Sequence, residues 1–169
     1  MTGLELLLRK IEACRICRDR PAGLALAHEP RPVLQPSTTA RVLIAGQAPG
    51  TRVHASGRPF TDPSGDRLRQ WLGLDMDSFY DDWKIAIVPM GFCFPGLNAA
   101  GADLPPRPEC VPAWRQLLMD EMPQIELVIC LGAHAMRWHM GDLFQGSVDA
   151  TVRNWRAGLG LSPAVVALP

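Results

Sequence analysis

Apolar residues recur at helical spacing over residues 3–13 (Leu4, Leu7, Leu8, Ile11), so the chain opens with a helix that ends at its first cysteine pair. Residues 18–40 are rich in Pro, Ala and Gly and read as a long loop. Arg41-Val42-Leu43-Ile44-Ala45 is a short, continuously apolar run, the pattern of a parallel strand buried on both faces. A loop is expected over 51–61. Pro63-Ser64-Gly65-Asp66 opens a helix that reaches about Leu72, with Leu68, Trp71 and Leu72 on one face and Gly73 ending it. Further strands are expected over 83–90, 125–131 and 164–168. Further helices are expected over 109–122, with Trp114, Leu117 and Leu118 inward, over 132–140 and over 147–157. The Gly- and Pro-rich stretch 91–108 is a long loop, and such loops in compact domains are usually functional.

Strands separated by helices of this length predict an α/β, three-layer fold with a central four-stranded parallel sheet flanked by helices. Ligands bind such sheets beyond the carboxyl ends of the strands. Residues 46–50, residues 91–93 and the end of the last strand all fall there.

At 169 residues the chain reads as one domain, 1–169, able to bury a core without covalent or metal staples. Its 17 basic and 17 acidic side chains cancel, which excludes a strongly basic surface field and counts against non-specific nucleic-acid binding. Local clustering still offers a footprint: Arg52, Arg58, Arg67 and Arg69 come after the 46–50 turn. No apolar run approaches 18 residues, so no membrane span is expected. The stretch Leu4 to Leu8 is too short for a signal peptide and runs into Arg9 and Lys10. Five cysteines without a leader point to a reducing, cytoplasmic location, where spaced cysteines read as metal ligands before disulfides.

Four of those cysteines form a pattern: Cys14-x2-Cys17, then Cys93 and Cys110 with 16 residues between them. Four thiolates suit zinc or an iron–sulfur cluster. Zinc sites more often use two x2 pairs, so the wide second spacing favours a cluster, with zinc as the lesser alternative. Cys130, inside an apolar run, is a core residue. The second constellation is Gly46-Gln47-Ala48-Pro49-Gly50 together with His54-Ala55-Ser56-Gly57-Arg58-Pro59-Phe60-Thr61-Asp62-Pro63-Ser64-Gly65. The turn at 46–50 lacks the GxGxxG and P-loop signatures. The 54–65 segment offers an imidazole, a guanidinium, an aromatic ring and a carboxylate. The plain alternative makes Phe60 core, Asp62 a helix N-cap and His54 a loop residue.

Taken together, these segments resemble the uracil-DNA glycosylase superfamily, in particular its iron–sulfur branches, often numbered four and five. Gly46 to Gly50 looks like the superfamily's first motif. Gly57 to Gly65 is similar to the stretch after it, and Leu131-Gly132 to its strand-end Leu-Gly. Cys14, Cys17, Cys93 and Cys110 match the four cluster ligands, a 4Fe-4S cluster being implied. The resemblance implies a flipped base in a pocket at the strand ends. The backbone of Gly46, Gln47, Ala48 and Gly50 would face the base, Phe60 would stack on it, and Asp62 would act on the attacking water.

Three positions depart from the family pattern. Gln47 stands where family four has a Glu, so the first motif supplies no carboxylate and Asp62 gains importance. The Asn that reads uracil in family four falls near Pro89. The family's terminal His-Pro-Ser segment would begin where this chain ends, at Val165-Val166-Ala167-Leu168-Pro169; His54 is a candidate to replace its His. The expected function is a DNA-repair glycosylase that removes uracil or a related deaminated base, acting as a monomer on DNA with a damaged base and with no membrane partner. The alternatives are a catalytically silent DNA-binding or damage-recognising relative, and a nucleotide-binding protein unrelated to DNA.

Overall fold

The computed structural model describes residues 2–169. Thr2 starts helix α1 (Gly3–Glu12) with a capping box: its hydroxyl accepts the Glu5 N–H, and the Glu5 carboxylate accepts the Thr2 N–H. The buried stripe is Leu4, Leu7 and Ile11. A single turn, α2 (Ile16–Asp19), comes just after the first cysteine.

Strands β1 (Val42–Ala45), β2 (Ile85–Ile87), β3 (Leu127–Leu131) and β4 (Ala164–Leu168) form one parallel sheet in the order β2-β1-β3-β4. The chain is therefore the expected α/β fold with a four-stranded parallel sheet between helices. Alternate strand residues feed two apolar layers, as a period of two dictates. Leu43, Ala45, Ala86, Val88, Val128 and Cys130 join one layer with α1. Ile44, Ile85, Ile87 and Ile129 join the other with Leu68 and Phe79. β2 is shorter than the expected 83–90 strand. A turn closed by Lys84 N–H to the Asp81 carbonyl leaves Trp83 outside the sheet, and Pro89 has no N–H to continue the ladder.

Helices α4 (Pro63–Leu72), α7 (Ala133–Met140) and α8 (Val148–Arg153) lie where periodicity placed helices. The expected 109–122 helix splits into a π-helical turn, Val111–Arg115, and α6 (Gln116–Asp120). The last expected helix gives way after Arg153 to a 3-10 turn, Trp155–Gly160. Residues 51–61 are not all loop. Gly50 caps α3 (Thr51–Ser56) and Gly57, at φ 71°, ends it; six residues are too few to show a period. Another short helix is α5 (Met76–Phe79). Two inward assignments fail: Trp71 and Leu117 are half-exposed, while their neighbours Leu68 and Leu118 fill the core. Among the described residues, no helix is long and apolar enough to cross a membrane.

Candidate functional site

β1 is succeeded in the chain by its neighbour on one side and then by its neighbour on the other, so the chain reverses direction across the sheet at β1. A cavity of about 490 Å³ opens there, beyond the carboxyl ends of β1 and β3, as expected for an open parallel sheet. Gly46, Gln47, Ala48, Pro49 and Gly50 line it from β1, and Leu131 and Gly132 from β3.

The 46–50 loop is held through its carbonyls. Met90 N–H donates to the Gly46 carbonyl at 2.9 Å and Gly91 N–H to the Gln47 carbonyl at 2.8 Å. A trans peptide points its C=O and N–H in opposite directions, so the N–H groups of Gln47 and Ala48 turn away from the β2 side. Among the described residues neither has a hydrogen-bond acceptor. Two such donors at a cavity wall form a site for a partly negative oxygen. The Gln47 side chain lies over Gly132, where a Cβ would sit 2.6 Å from its Cδ. Gly132 also has φ 82°, so both space and backbone require glycine there.

Phe60 also lines the cavity. Its φ of 55° is left-handed, a conformation that strains a bulky residue by about 1–3 kcal/mol. Three features hold it. Its carbonyl accepts from Arg69 Nη1 at 3.1 Å and from the Tyr80 hydroxyl at 3.2 Å. Gly65 lets α4 approach, since a Cβ there would lie 1.9 Å from the same carbonyl oxygen. The ring meets Phe79 edge-on at 6.0 Å, while its tip comes within 3.2 Å of a Cβ position on Gly46. Phe60 is thus supported by the core and presented to the cavity, which joins the two readings of the sequence.

Asp62 does the same. It is the N-cap of α4: its Oδ1 accepts from Ser64 Oγ at 2.6 Å and from Gly65 N–H at 3.0 Å. Its Oδ2 has no protein partner among the described residues, and the side chain lines the cavity. One oxygen caps the helix and the other is free for a water.

His54 is placed elsewhere. It faces out of the cavity, edge-on to His28 at 4.9 Å and 5.6 Å from Phe94. Burial, then the His28 and Arg31 charges, lower its pKa. Arg31 caps the end of α3 by donating to the His54 and Ala55 carbonyls at 2.6 and 3.1 Å. Of the four arginines read as a footprint, only Arg67 lines the cavity. Arg69 is buried beneath Phe60 and Arg58 stacks on Tyr80, 3.6 Å from the ring centre.

Sequence reasoning passed over Asp103 and misplaced Trp71, and both line the cavity. Asp103 comes from the 91–108 loop; a Cβ on Gly50 would lie 3.0 Å from its carboxylate. Asn98 organises that loop, its side-chain oxygen accepting from Ala100 and Ala102 N–H. The Gly/Pro content of the loop was the available signal. Trp71 stands one turn after Arg67 on α4 and is 48 % exposed.

Cys14, Cys17, Cys93 and Cys110 line one small cavity with Phe92 and Trp114. All are free thiols. The Trp114 indole N–H donates to Cys14 Sγ at 3.3 Å and the Phe92 N–H to Cys110 Sγ at 3.5 Å. A hydrogen bond from Cys110, then Arg107, brings Cys17 down to about 7 against opposing burial. The same bond, from the donor side, and burial push Cys110 up; burial pushes Cys93 up to about 12. Among the described residues no three His, Cys, Asp or Glu side chains converge on a single-ion position. Four thiols lining one cavity are a donor set that suits zinc or an iron–sulfur cluster. Cys130 lies in β3, fully buried, and belongs to the core.

The family model described as the Uracil DNA glycosylase superfamily matches residues 33–168, a span that includes the residues named at the strand-end cavity, Cys93 and Cys110, and leaves out Cys14 and Cys17.

Proposed function

The chain belongs to the uracil DNA glycosylase superfamily, and from that premise we propose that it hydrolyses the N-glycosidic bond of uracil or a related deaminated base in DNA. The observation that carries this reading is the convergence of free N–H donors, an aromatic face and a half-free carboxylate on one cavity at the strand ends. A base flipped out of the helix enters between Phe60 and the 46–50 loop. Stacking on the ring contributes about 1–3 kcal/mol. Cleavage builds positive charge on the sugar and negative charge on the departing base. The Gln47 and Ala48 N–H groups take a carbonyl oxygen of the base and strengthen their bonds as it gains charge. Asp62 Oδ2 orients a water toward the sugar carbon and faces the developing cation. The water adds to that carbon, its proton passes to the carboxylate, and the base leaves with the bonding pair.

Arg67 and Trp71 stand at the cavity edge, where a phosphate and a neighbouring base would lie. An iron–sulfur cluster on Cys14, Cys17, Cys93 and Cys110, when bound, would tie the end of α1 to the 91–108 loop that carries Asp103. The test is excision of uracil from a labelled oligonucleotide by this protein, with and without Asp62→Asn. Release of free uracil by the wild type and not by the variant supports the reading. Tight binding of the uracil-containing strand with no release by either protein favours the silent relative.

A further inference from the structure

Arg115 is the largest fully buried side chain, with no exposed surface at all. None of the ion pairs among the described residues includes it. Its acceptors are neutral. Nη1 donates to the Val88 carbonyl at 2.7 Å and the Pro89 carbonyl at 3.0 Å, Nη2 meets His139 Nε2, and Nε has no acceptor. The guanidinium also lies 5.3 Å from the Trp138 ring centre. Burial lowers Arg115 to about 10, so it stays charged; burial and then Arg115 push His139 down to about 2, so its imidazole is neutral and can accept. A buried cation without a carboxylate is costly, and a fold needs a reason to keep one.

The reason lies in what the two carbonyls belong to. Val88 and Pro89 come directly after β2, where the chain leaves the sheet. The next two residues, Met90 and Gly91, are the donors that hold the Gly46 and Gln47 carbonyls. Arg115 therefore grips one side of a short segment whose other side grips the 46–50 loop. Pro89 itself lines the cavity.

We infer that Arg115 is a positioning residue for the base-binding loop: by clamping the Val88 and Pro89 carbonyls it fixes Met90 and Gly91, and through them the direction of the Gln47 and Ala48 N–H groups. A forked donor suits this task, because one nitrogen spans two successive carbonyls while the other is anchored on α7. The assignment of a function to those N–H groups rests on the glycosylase reading above; the mechanical claim does not.

The test compares wild type with Arg115→Met and Arg115→Lys by amide hydrogen exchange and by excision kinetics. Loss of the clamp releases Met90 and Gly91 locally. Their exchange is expected to rise about tenfold or more beyond any change in β3, the reference for global opening. Excision of uracil is expected to fall about 10²-fold in kcat with KM little altered, because a displaced donor acts on the transition state. The loss is expected to be smaller for 5-fluorouracil, whose anion needs less stabilisation. Lys keeps the charge and loses the fork, so it should show the same local exchange. A uniform rise in exchange across the sheet, an equal kinetic loss for both bases, or failure of both variants to fold overturns positioning in favour of a purely structural role. Local release of Met90 and Gly91 in a protein that excises no base leaves the clamp standing and sinks the glycosylase reading.

Discussion

Gly65→Ala isolates the strain beneath the cavity. The new methyl would lie 1.9 Å from the Phe60 carbonyl oxygen, 2.6 Å from its carbon and 2.8 Å from Phe60 Cβ. These are backbone atoms and the root of a side chain, so no flexible tip can move aside. Either α4 or the 57–62 loop must shift by more than about 1 Å, given ordinary contact distances of about 3.5–4.0 Å. That shift breaks the bonds from Arg69 and Tyr80 to the same carbonyl. One charge-assisted and one neutral hydrogen bond are worth together about 2–4 kcal/mol, and alanine's helical preference returns about 0.5–1 kcal/mol. The net expectation is a loss of about 1–3 kcal/mol, which for a domain of this size lowers Tm by roughly 2–12 °C. The functional loss should be larger in proportion, since a 1 Å displacement of Phe60 and Asp62 lowers turnover by about 10²-fold.

The assays are thermal unfolding and single-turnover excision on the same preparation, with Gly23→Ala as the control. Nothing lies within 4 Å of a Cβ at Gly23, so that variant should match the wild type within about 0.5 kcal/mol. A Gly65→Ala protein that melts and cuts like the wild type would show that the loop relaxes freely and that Phe60 is not held in its left-handed conformation by α4.

Asp62→Asn retains a good N-cap and should lower excision by about 10²-fold or more with DNA affinity unchanged; a near-normal rate would leave the carboxylate only its capping role. Phe60→Ala should weaken binding of uracil-containing DNA by about 1–3 kcal/mol in titrations corrected for folded fraction, and Trp71→Ala should weaken binding with little change in Tm, because Trp71 is half-exposed. Protein purified without oxygen should be brown, absorbing near roughly 400 nm, and should lose its iron in Cys14→Ser and keep it in Cys130→Ser; colourless protein with stoichiometric zinc would sink the cluster. His139 is neutral in the fold down to about pH 2 and titrates near its usual value once unfolded. Below pH 6.5 the unfolded state therefore binds the extra proton and stability falls with pH, by about 2 kcal/mol between pH 6.5 and 5 for this group. Urea unfolding of His139→Gln should lack that increment.

The apolar pattern was enough for the sheet, because parallel strands buried on both faces read as short continuous runs, and Arg41 to Ala45 and Leu127 to Leu131 do so. It could not show α3 or α5, which are shorter than two helical turns. It misjudged Trp71 because an aromatic at core spacing reads as core, whereas the cavity opens beside that face of α4. The Gly46–Gly50 turn and the Phe60–Asp62 pair were legible from residue types in order. Asp103 was hidden for a different reason: its position depends on the closure of a loop by Asn98, and no periodicity records that. His54 was drawn in by its nearness in sequence, and α3 sets its ring against His28 and Phe94, outside the cavity lining.

Two arginines show most clearly what a sequence conceals. Arg69 and Arg115 read as polar positions on helices, and both are buried. Each directs its guanidinium at main-chain carbonyls on one wall of the cavity: Arg69 at Phe60, Arg115 at Val88 and Pro89. In both places the chain has left regular structure, at a left-handed residue and at a proline, so the ladder cannot satisfy those carbonyls. Water would satisfy them equally well in a loose loop. A buried guanidinium does so at fixed distance and direction, and excludes the water. The walls of the cavity are thus irregular backbone made rigid from behind, which is the condition a site must meet if its N–H groups are to favour a transition state over a ground state.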